Sequence, residues 1–442
     1  EINEPSLNDF VQENRKEENK KKLIILASIS VIILILILVI IILAINMTKH
    51  PNDENKKKSD DSNKIGEINC VFEIKDISKE VYILSENYEK KSSFDIMINK
   101  TKIDFTKKYK FSKVSSYNIQ FILYEDIDMD NMFKGINELE AVIMISTEKA
   151  KIKSMVSTFE ECSNLKSFTI NGFNYDELKS IKKIFYKTNL SFLNLNGFET
   201  KNVEDMSYMF AFSEINSIDL SSLNTNNTKN ISYMFYECRS LISVDATNFD
   251  TSKVIDMSYM FKNCESLTSL DLSGIDTSNV LNMTGLFQNC LSLSSLDVSN
   301  FKTNNVYDMS FLFDNDFSLE ILNLSNFDTS NVKNMSNMFS YCASLSSLNI
   351  SSFDTKNVED MSHMFTYCRK MTYIDVSKFK TNKVKDMSSM FENCNSLLSI
   401  DTSNFETNNV ENMKSMFEEC NLLKYINSEN FNTEKETDMS YM

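Results

Sequence analysis

A 26-residue unit recurs through most of this chain, and no other property limits the fold as strongly. One copy, residues 327–352, reads FDTSNVKNMSNMFSYCASLSSLNISS. The Met-Phe pair sets the register: its Phe stands at 235, 261, 287, 313, 339, 365, 391 and 417, always 26 residues apart. A period between about 20 and 50 residues marks a solenoid, in which each unit covers the apolar face of its neighbour. Phe133, Phe159, Phe185 and Phe210 carry the series backward, with two steps shortened to 25 by a residue missing just after the Phe. The array is therefore expected over residues 129–442, as about twelve units. Met442 stands one position before the next Phe, so a truncated C-terminus is expected.

Within one unit, residues 249–274, Val254, Met257, Met260, Phe261 and Cys264 are spaced 3, 3, 1 and 3. That spacing predicts one face of a short helix, capped by Thr251 or Ser252. Leu267, Leu270 and Leu272 follow as the LxxLxL pattern of a leucine-rich-repeat strand. The expected fold class is α/β: a leucine-rich-repeat solenoid with a parallel strand ribbon on one face and short helices on the other. A small β-rich N-terminal cap and one transmembrane helix complete it.

The columns of the repeat sort by chemistry. The Phe column after the strand (Phe249, Phe301, Phe327, Phe353, Phe379, Phe405, Phe431) reads as an inner spine, and the Met column as packing rather than a thioether metal site. Eight of the nine cysteines share one slot: Cys162, Cys238, Cys264, Cys290, Cys342, Cys368, Cys394 and Cys420. No CxxC pair or Cys/His alternation accompanies them, so no zinc site is expected. They read as buried free thiols, because adjacent units are too far apart for the short Cα separation of a disulfide.

The exposed strand positions form the candidate site. Asp219, Asp245, Asp271, Asp297, Asn323, Asn349, Asp375, Asp401 and Asn427 occupy its centre, and Ser273, Ser299, Ser325, Ser351 and Ser377 lie two residues on. Alternation along a strand places both columns on one face. Stacked Asp residues ~4.8 Å apart repel, so interspersed Asn, hydroxyls or a cation must relieve them. The face reads either as a ligand-binding ribbon or as the solvated side of a duplicated scaffold.

Ahead of the array, residues 23–45 read LIILASISVIILILILVIIILAI, long enough to span ~30 Å of hydrocarbon. A signal anchor at the plasma membrane is expected, with residues 1–22 as a short cytoplasmic tail, because Lys20, Lys21 and Lys22 abut the run on that side. The repeats would then face outward. Residues 46–66 read as a disordered stalk, and residues 67–128, where Phe94, Ile96 and Ile98 alternate with polar residues, as the β-rich cap.

Composition narrows the function. A net charge of −16 opposes nucleic acid, for no basic stripe offsets phosphate. Two histidines and six glycines, without a GxGxxG or GxxxxGK[ST] motif, offer neither a His-based nucleophile nor a phosphate cradle, and the carboxylates come as a ladder rather than a pocket. No enzyme activity and no cofactor are expected.

The consensus FDTSNVxxMSxMFxxCxSLxSLDLSx resembles the BspA-like leucine-rich-repeat family, including the repeat of mycoplasma lipoprotein-associated proteins; residues 249–274, FDTSKVIDMSYMFKNCESLTSLDLSG, match it nearly throughout. The resemblance implies surface proteins of bacteria and protists linked to adhesion, and supplies no catalytic residues. The expected function is a membrane-anchored, cell-surface protein that binds an extracellular protein or glycan through the strand face. The alternative is a structural surface-coat protein that self-associates laterally without a soluble ligand.

Overall fold

The computed structural model describes residues 63–442, apart from 90, 91, 191, 247, 248, 428 and 433–437. Residues 1–62 form a separate unit from Asn63–Met442. The expected cytoplasmic tail, the apolar run 23–45 and nearly all of the stalk lie outside the described residues.

The larger unit begins with a seven-stranded sheet. In spatial order its strands are Phe192–Asn194, Ser167–Asn171, Leu139–Ser146, Gly66–Ile74, Ser115–Leu123, Phe94–Ile98 and Thr101–Ile103. Gly66–Ile74 pairs antiparallel with both of its neighbours, whereas Leu139–Ser146, Ser167–Asn171 and Phe192–Asn194 run parallel. The alternating apolar residues of Gly66–Ile74 (Ile68, Cys70, Phe72, Ile74) are all fully buried. One hydrophobic core runs without a break from Ile68 in this sheet to Phe417 in the array. The antiparallel strands thus close the open end of the solenoid, and the first parallel strand of the array grows from the edge of their sheet.

The array itself is a β-solenoid. Among the described residues there is no α-helix, and no helix is long and apolar enough to cross a membrane. Two expectations are therefore corrected. The class is not α/β with short helices on one face, and the transmembrane helix expected over 23–45 has no counterpart in the described fold.

The backbone shows why the helix reading failed. In residues 257–264 the amides alternate between two kinds of partner. Met260, Lys262 and Cys264 donate to the carbonyls of Met257, Tyr259 and Phe261, closing successive i→i+3 turns at 3.3, 3.2 and 3.1 Å. Met257, Tyr259, Phe261 and Asn263 donate instead to Asn282, Thr284, Leu286 and Gln288 of the next unit, at 2.8–3.1 Å. An α-helix would send all of these amides to i−4. A chain of i→i+3 turns brings every third residue inward, so it produces the same 3, 3, 1, 3 spacing.

This geometry requires two left-handed residues per unit. Tyr208, Tyr233, Tyr259, Phe311 and His363 have φ of +56° to +59°, and Asn263, Asn289, Asn315 and Tyr367 have +59° to +62°. Each non-glycine residue there costs about 1–2 kcal/mol. Four inter-unit amide bonds at about 1 kcal/mol each, with a fully buried Phe at about 1.5–3 kcal/mol, offset that cost. Glycine fills these slots at Gly135 and at Gly285, where a Cβ would meet the Tyr259 ring at 2.6 Å.

The Phe of the Met-Phe pair forms the spine. From Phe133 to Phe417 consecutive rings stack with centroids 5.4–6.0 Å apart and planes within 4–12°. The Phe column expected to be the spine is buried, apart from the half-buried Phe431, but it stacks more loosely, at 6.3 Å for Phe301–Phe327 and 6.5 Å for Phe379–Phe405.

Candidate functional site

The strand face is built from short parallel bridges between some of the consecutive units. Ser217–Asp219 pairs parallel with Ser243–Asp245, and Ile321–Asn323 with Ile321's neighbour strand Ser347–Asn349; isolated bridges at Ser295–Ile321, Tyr373–Ser399 and Ile400–Ile426 continue the line. Asp219, Asp245, Asp271, Asp297, Asn323, Asn349, Asp375 and Asp401 are exposed along it, and Asn427 is half-buried. Ser273, Ser299, Ser325 and Ser351 are exposed beside them and Ser377 is half-buried.

The two columns are joined by more than proximity. The amide of Ser273 donates to Oδ1 of Asp271 (2.9 Å), Ser299 to Asp297 (2.9 Å), Ser325 to Asn323 (3.1 Å), Ser351 to Asn349 (3.2 Å), Ser377 to Asp375 (3.1 Å) and Ser403 to Asp401 (3.0 Å). These are Asx turns, in which a side-chain oxygen caps the corner that ends each strand. Hydrogen bonds from the same Ser residues hold these carboxyls below the usual Asp value, chiefly from the amide at Asp271 and Asp297 and from the hydroxyl, then the amide, at Asp375 and Asp401. The ribbon is therefore charged at neutral pH, and each side chain is pinned at one oxygen.

A second acidic column was not singled out from the sequence. It lies just before the first Met of each unit and runs Asp205, Asn230, Asp256, Asn282, Asp308, Asn334, Asp360, Asp386, Asn412, Asp438. Parallel bridges join every consecutive pair, so this line is more continuous than the strand face. Asp and Asn nearly alternate, which separates the carboxylates by two turns. Where amide and acid adjoin, the Asn412 Nδ2 donates to Asp386 Oδ2 at 3.1 Å. The signal was present as a strict 25–26-residue period of Asp/Asn, hidden by assigning the segment to a helix.

A half-buried aromatic cluster was also missed. Tyr208 stacks on Tyr233 at 4.4 Å and 5°, Tyr233 meets Tyr259 at 4.9 Å, and Phe212 lies edge-on to Tyr186 and Tyr236. Lys183, Lys187 and Lys262 lie over these rings at 4.9–5.5 Å. Their common origin is the left-handed position of the Met-Ser-x-Met-Phe segment and the residues flanking its Phe.

The cysteines are all free, and all but Cys420 are buried. Each thiol of the repeat column donates to the carbonyl of the spine Phe one unit back, as Cys342 does to Phe313 at 3.0 Å and Cys368 to Phe339 at 3.2 Å. Burial pushes the Cys162 and Cys238 thiols up to about 12. Asp316 occupies this slot once. It is fully buried, its Oδ1 accepts the Cys290 amide at 2.8 Å, and its Oδ2 has no partner. Among the described residues no group of three or more His, Cys, Asp or Glu is placed to hold a metal ion.

Comparison with known proteins agrees with the repeat architecture. A family described as "Mycoplasma protein of unknown function, DUF285" matches in five overlapping stretches, residues 97–216, 153–273, 211–315, 292–396 and 345–442. The chain belongs to this family. The match begins within the N-terminal sheet and continues to residue 442, so the sheet and the array are read together. No curated protein matches. Among solved structures, the chain is similar to a leucine-rich cell-surface protein from Faecalibacterium prausnitzii A2-165, at 15% identity over 69% of this chain and 83% of that one, TM-score 0.29. It is also similar to TLR13 in a complex with ssRNA13, at 14% identity over 72% of this chain and 58% of that one, TM-score 0.18.

Proposed function

We propose that this chain is a non-catalytic recognition scaffold of the BspA-like kind, displayed outside the cell, whose strand face binds a protein or glycan partner. The observation that carries this reading is the ribbon of exposed Asp and Asn, repeated once per unit and pinned by Asx turns. Groups held at fixed spacing lose little conformational entropy when a partner lands on them. Many weak polar contacts made at once then add up. A partner with matching donors, such as sugar hydroxyls or the Lys, Arg and backbone amides of a protein, fits this face. Phosphate-rich nucleic acid does not, because the ribbon is anionic. Binding rather than catalysis is favoured by carboxylates set out as a ladder and by thiols that burial keeps protonated.

The test is a binding screen of the full chain against extracellular-matrix proteins and a glycan array, with Asp271, Asp297 and Asp375 changed together to Asn. Asn already fills the slot at 323, 349 and 427 and keeps the Oδ1 that closes the turn, so only charge is removed. At least tenfold weaker binding to the same partner is expected. Unchanged binding would place the partner on another face. Antibody access to the repeats on intact cells tests the display.

A further inference from the structure

One more column runs the length of the array, between the Val and the Asp of each Val-x-Asp segment. Its members are joined amide to carbonyl from unit to unit at 2.8–2.9 Å, from Glu204 bonding Lys179 to Glu411 bonding Lys385. It is therefore a straight, in-register line. At one end stand Lys179, Glu204 and Lys229; at the other stand Lys333, Glu359, Lys385 and Glu411. The charges alternate on both sides, and neighbours along the line pair on the exposed surface, Glu204 with Lys229 at 2.8 Å and Glu359 with Lys385 at 3.0 Å. Three consecutive units between them carry Ile255, Leu281 and Tyr307, exposed by 44, 42 and 46%. Three large apolar side chains in a row on a flat ladder are unlike the scattered exposed residues of a monomer surface.

We propose that this line is a two-fold interface at which two copies of the chain pack antiparallel. The charge order selects both the partner and the register. A two-fold axis through the Leu281 position would set Lys229 against Lys333 and Glu204 against Glu359 of the other copy, all like charges. An axis between the Leu281 and Tyr307 positions sets every charge but Lys333 opposite its complement. Leu281 then meets the other copy's Tyr307, and Ile255 lies along the alkyl stem of Lys333. Lys229 faces Glu359, Glu204 faces Lys385 and Lys179 faces Glu411. The two-fold makes each of these contacts twice.

The line from Lys179 to Glu411 covers ten positions, roughly 45 Å at the ~4.8 Å spacing of paired strands. A strip of that length reaches the ~1,200 Å² of a specific interface if it is about 14 Å wide. Its neighbours are low. On one side Asn279, Asn305 and Asn331 fold back to bond carbonyls of the preceding unit at 2.7 Å. Lys253 and Lys383 hold the Asn slot in two units and also lie back along it, their amines donating to Asn227 at 2.6 Å and Asn357 at 2.7 Å. On the other side stands the half-buried Asp/Asn ladder. The interface lies on a different column from the strand-face Asp residues, so it stands or falls independently of the proposed function.

The test uses the full chain, kept soluble in mild non-ionic detergent because of the apolar run 23–45. Multi-angle light scattering across a concentration series is expected to give a dimer. Lys229→Glu and Glu359→Lys should each raise the dimer Kd by about 10- to 100-fold, since like charges then face each other twice. The double variant Lys229→Glu with Glu359→Lys should restore it. Register is read by oxidation: Lys229→Cys mixed with Glu359→Cys should give a disulfide-linked dimer, and neither alone should. A monomer at all concentrations, a charge reversal without effect, or Lys229→Cys cross-linking to itself would each overturn the proposal. Retained protection of the buried thiols shows that every variant is folded.

Discussion

Asp316 offers the sharpest test of how the array is held together. It stands in the cysteine slot, fully buried, with one oxygen lacking a partner. Desolvation pushes its carboxyl well above the usual value, and Asp314 nearby adds to the effect. In the folded protein it is therefore neutral over a range in which the unfolded chain, with an Asp pKa near ~3.9, is ionised. A raised folded pKa contributes stability that is full below ~3.9 and is lost as pH rises toward the raised value. The loss is about 1.4 kcal/mol per pH unit in that window. Asp316→Cys removes it, because a thiol is neutral in both states up to about pH 8. The substitution also removes an orphaned polar atom, worth about 1–3 kcal/mol. It restores the donor to the spine carbonyl that the other cysteines supply. The Cys290 amide is not stranded, since it also donates to the Phe287 carbonyl at 3.2 Å. The gain of the variant over the native chain should be about 1–3 kcal/mol near pH 4 and grow by about 1.4 kcal/mol per unit above it until the pH passes the raised value. Urea unfolding at pH 4, 5, 6 and 7 reads this difference. Hydrogen exchange of residues 287–316 reads it locally, since a long array need not unfold as one unit. Asp316→Asn, neutral at every pH, should share the pH dependence of the cysteine variant. A difference that does not change with pH, or a variant less stable than the native chain at pH 7, would refute the argument.

Other outcomes follow from the same structure. Ile275 replaces Phe between Phe249 and Phe301 and lines a small apolar cavity with Met257, Phe287 and Leu286. Ile275→Phe should fill it and stabilise by about 1 kcal/mol in urea unfolding. Phe339→Ala removes a fully buried ring stacked on both sides and should cost about 3–5 kcal/mol, with new protease sites appearing in the neighbouring units. Glu419 is exposed in a left-handed slot that Asn263, Asn289, Asn315 and Asn393 occupy in other units, so Glu419→Asn should stabilise by about 0.5–1 kcal/mol. Thiol titration of the native chain should label Cys420 first, because it is the least buried of the column and its thiol is raised only to about 11, and the rest only on unfolding.

The sequence by itself determined the period, the register and the sorting of columns. A residue that recurs every 26 positions must meet its own kind in the next unit, whatever the local backbone does. That is why the Asp271, Asp297 and Asp375 face could be placed from the sequence. Local conformation was not legible in the same way. The spacing of Val254, Met257, Phe261 and Cys264 suits a helix and a run of i→i+3 turns equally well. The choice depends on where the amides of Met257, Tyr259, Phe261 and Asn263 find acceptors, and those acceptors lie 25 residues on, in another unit. Only stacking supplies them, and only their gain makes φ near +60° tolerable at Tyr, Phe and His. Tertiary structure likewise decided which Phe column stacks face to face. It also showed that the Ser beside each Asp spends its amide on a turn, and it lined up Ile255, Leu281 and Tyr307 on one flat edge. Periodicity names the neighbours, and backbone hydrogen bonding between units decides their geometry.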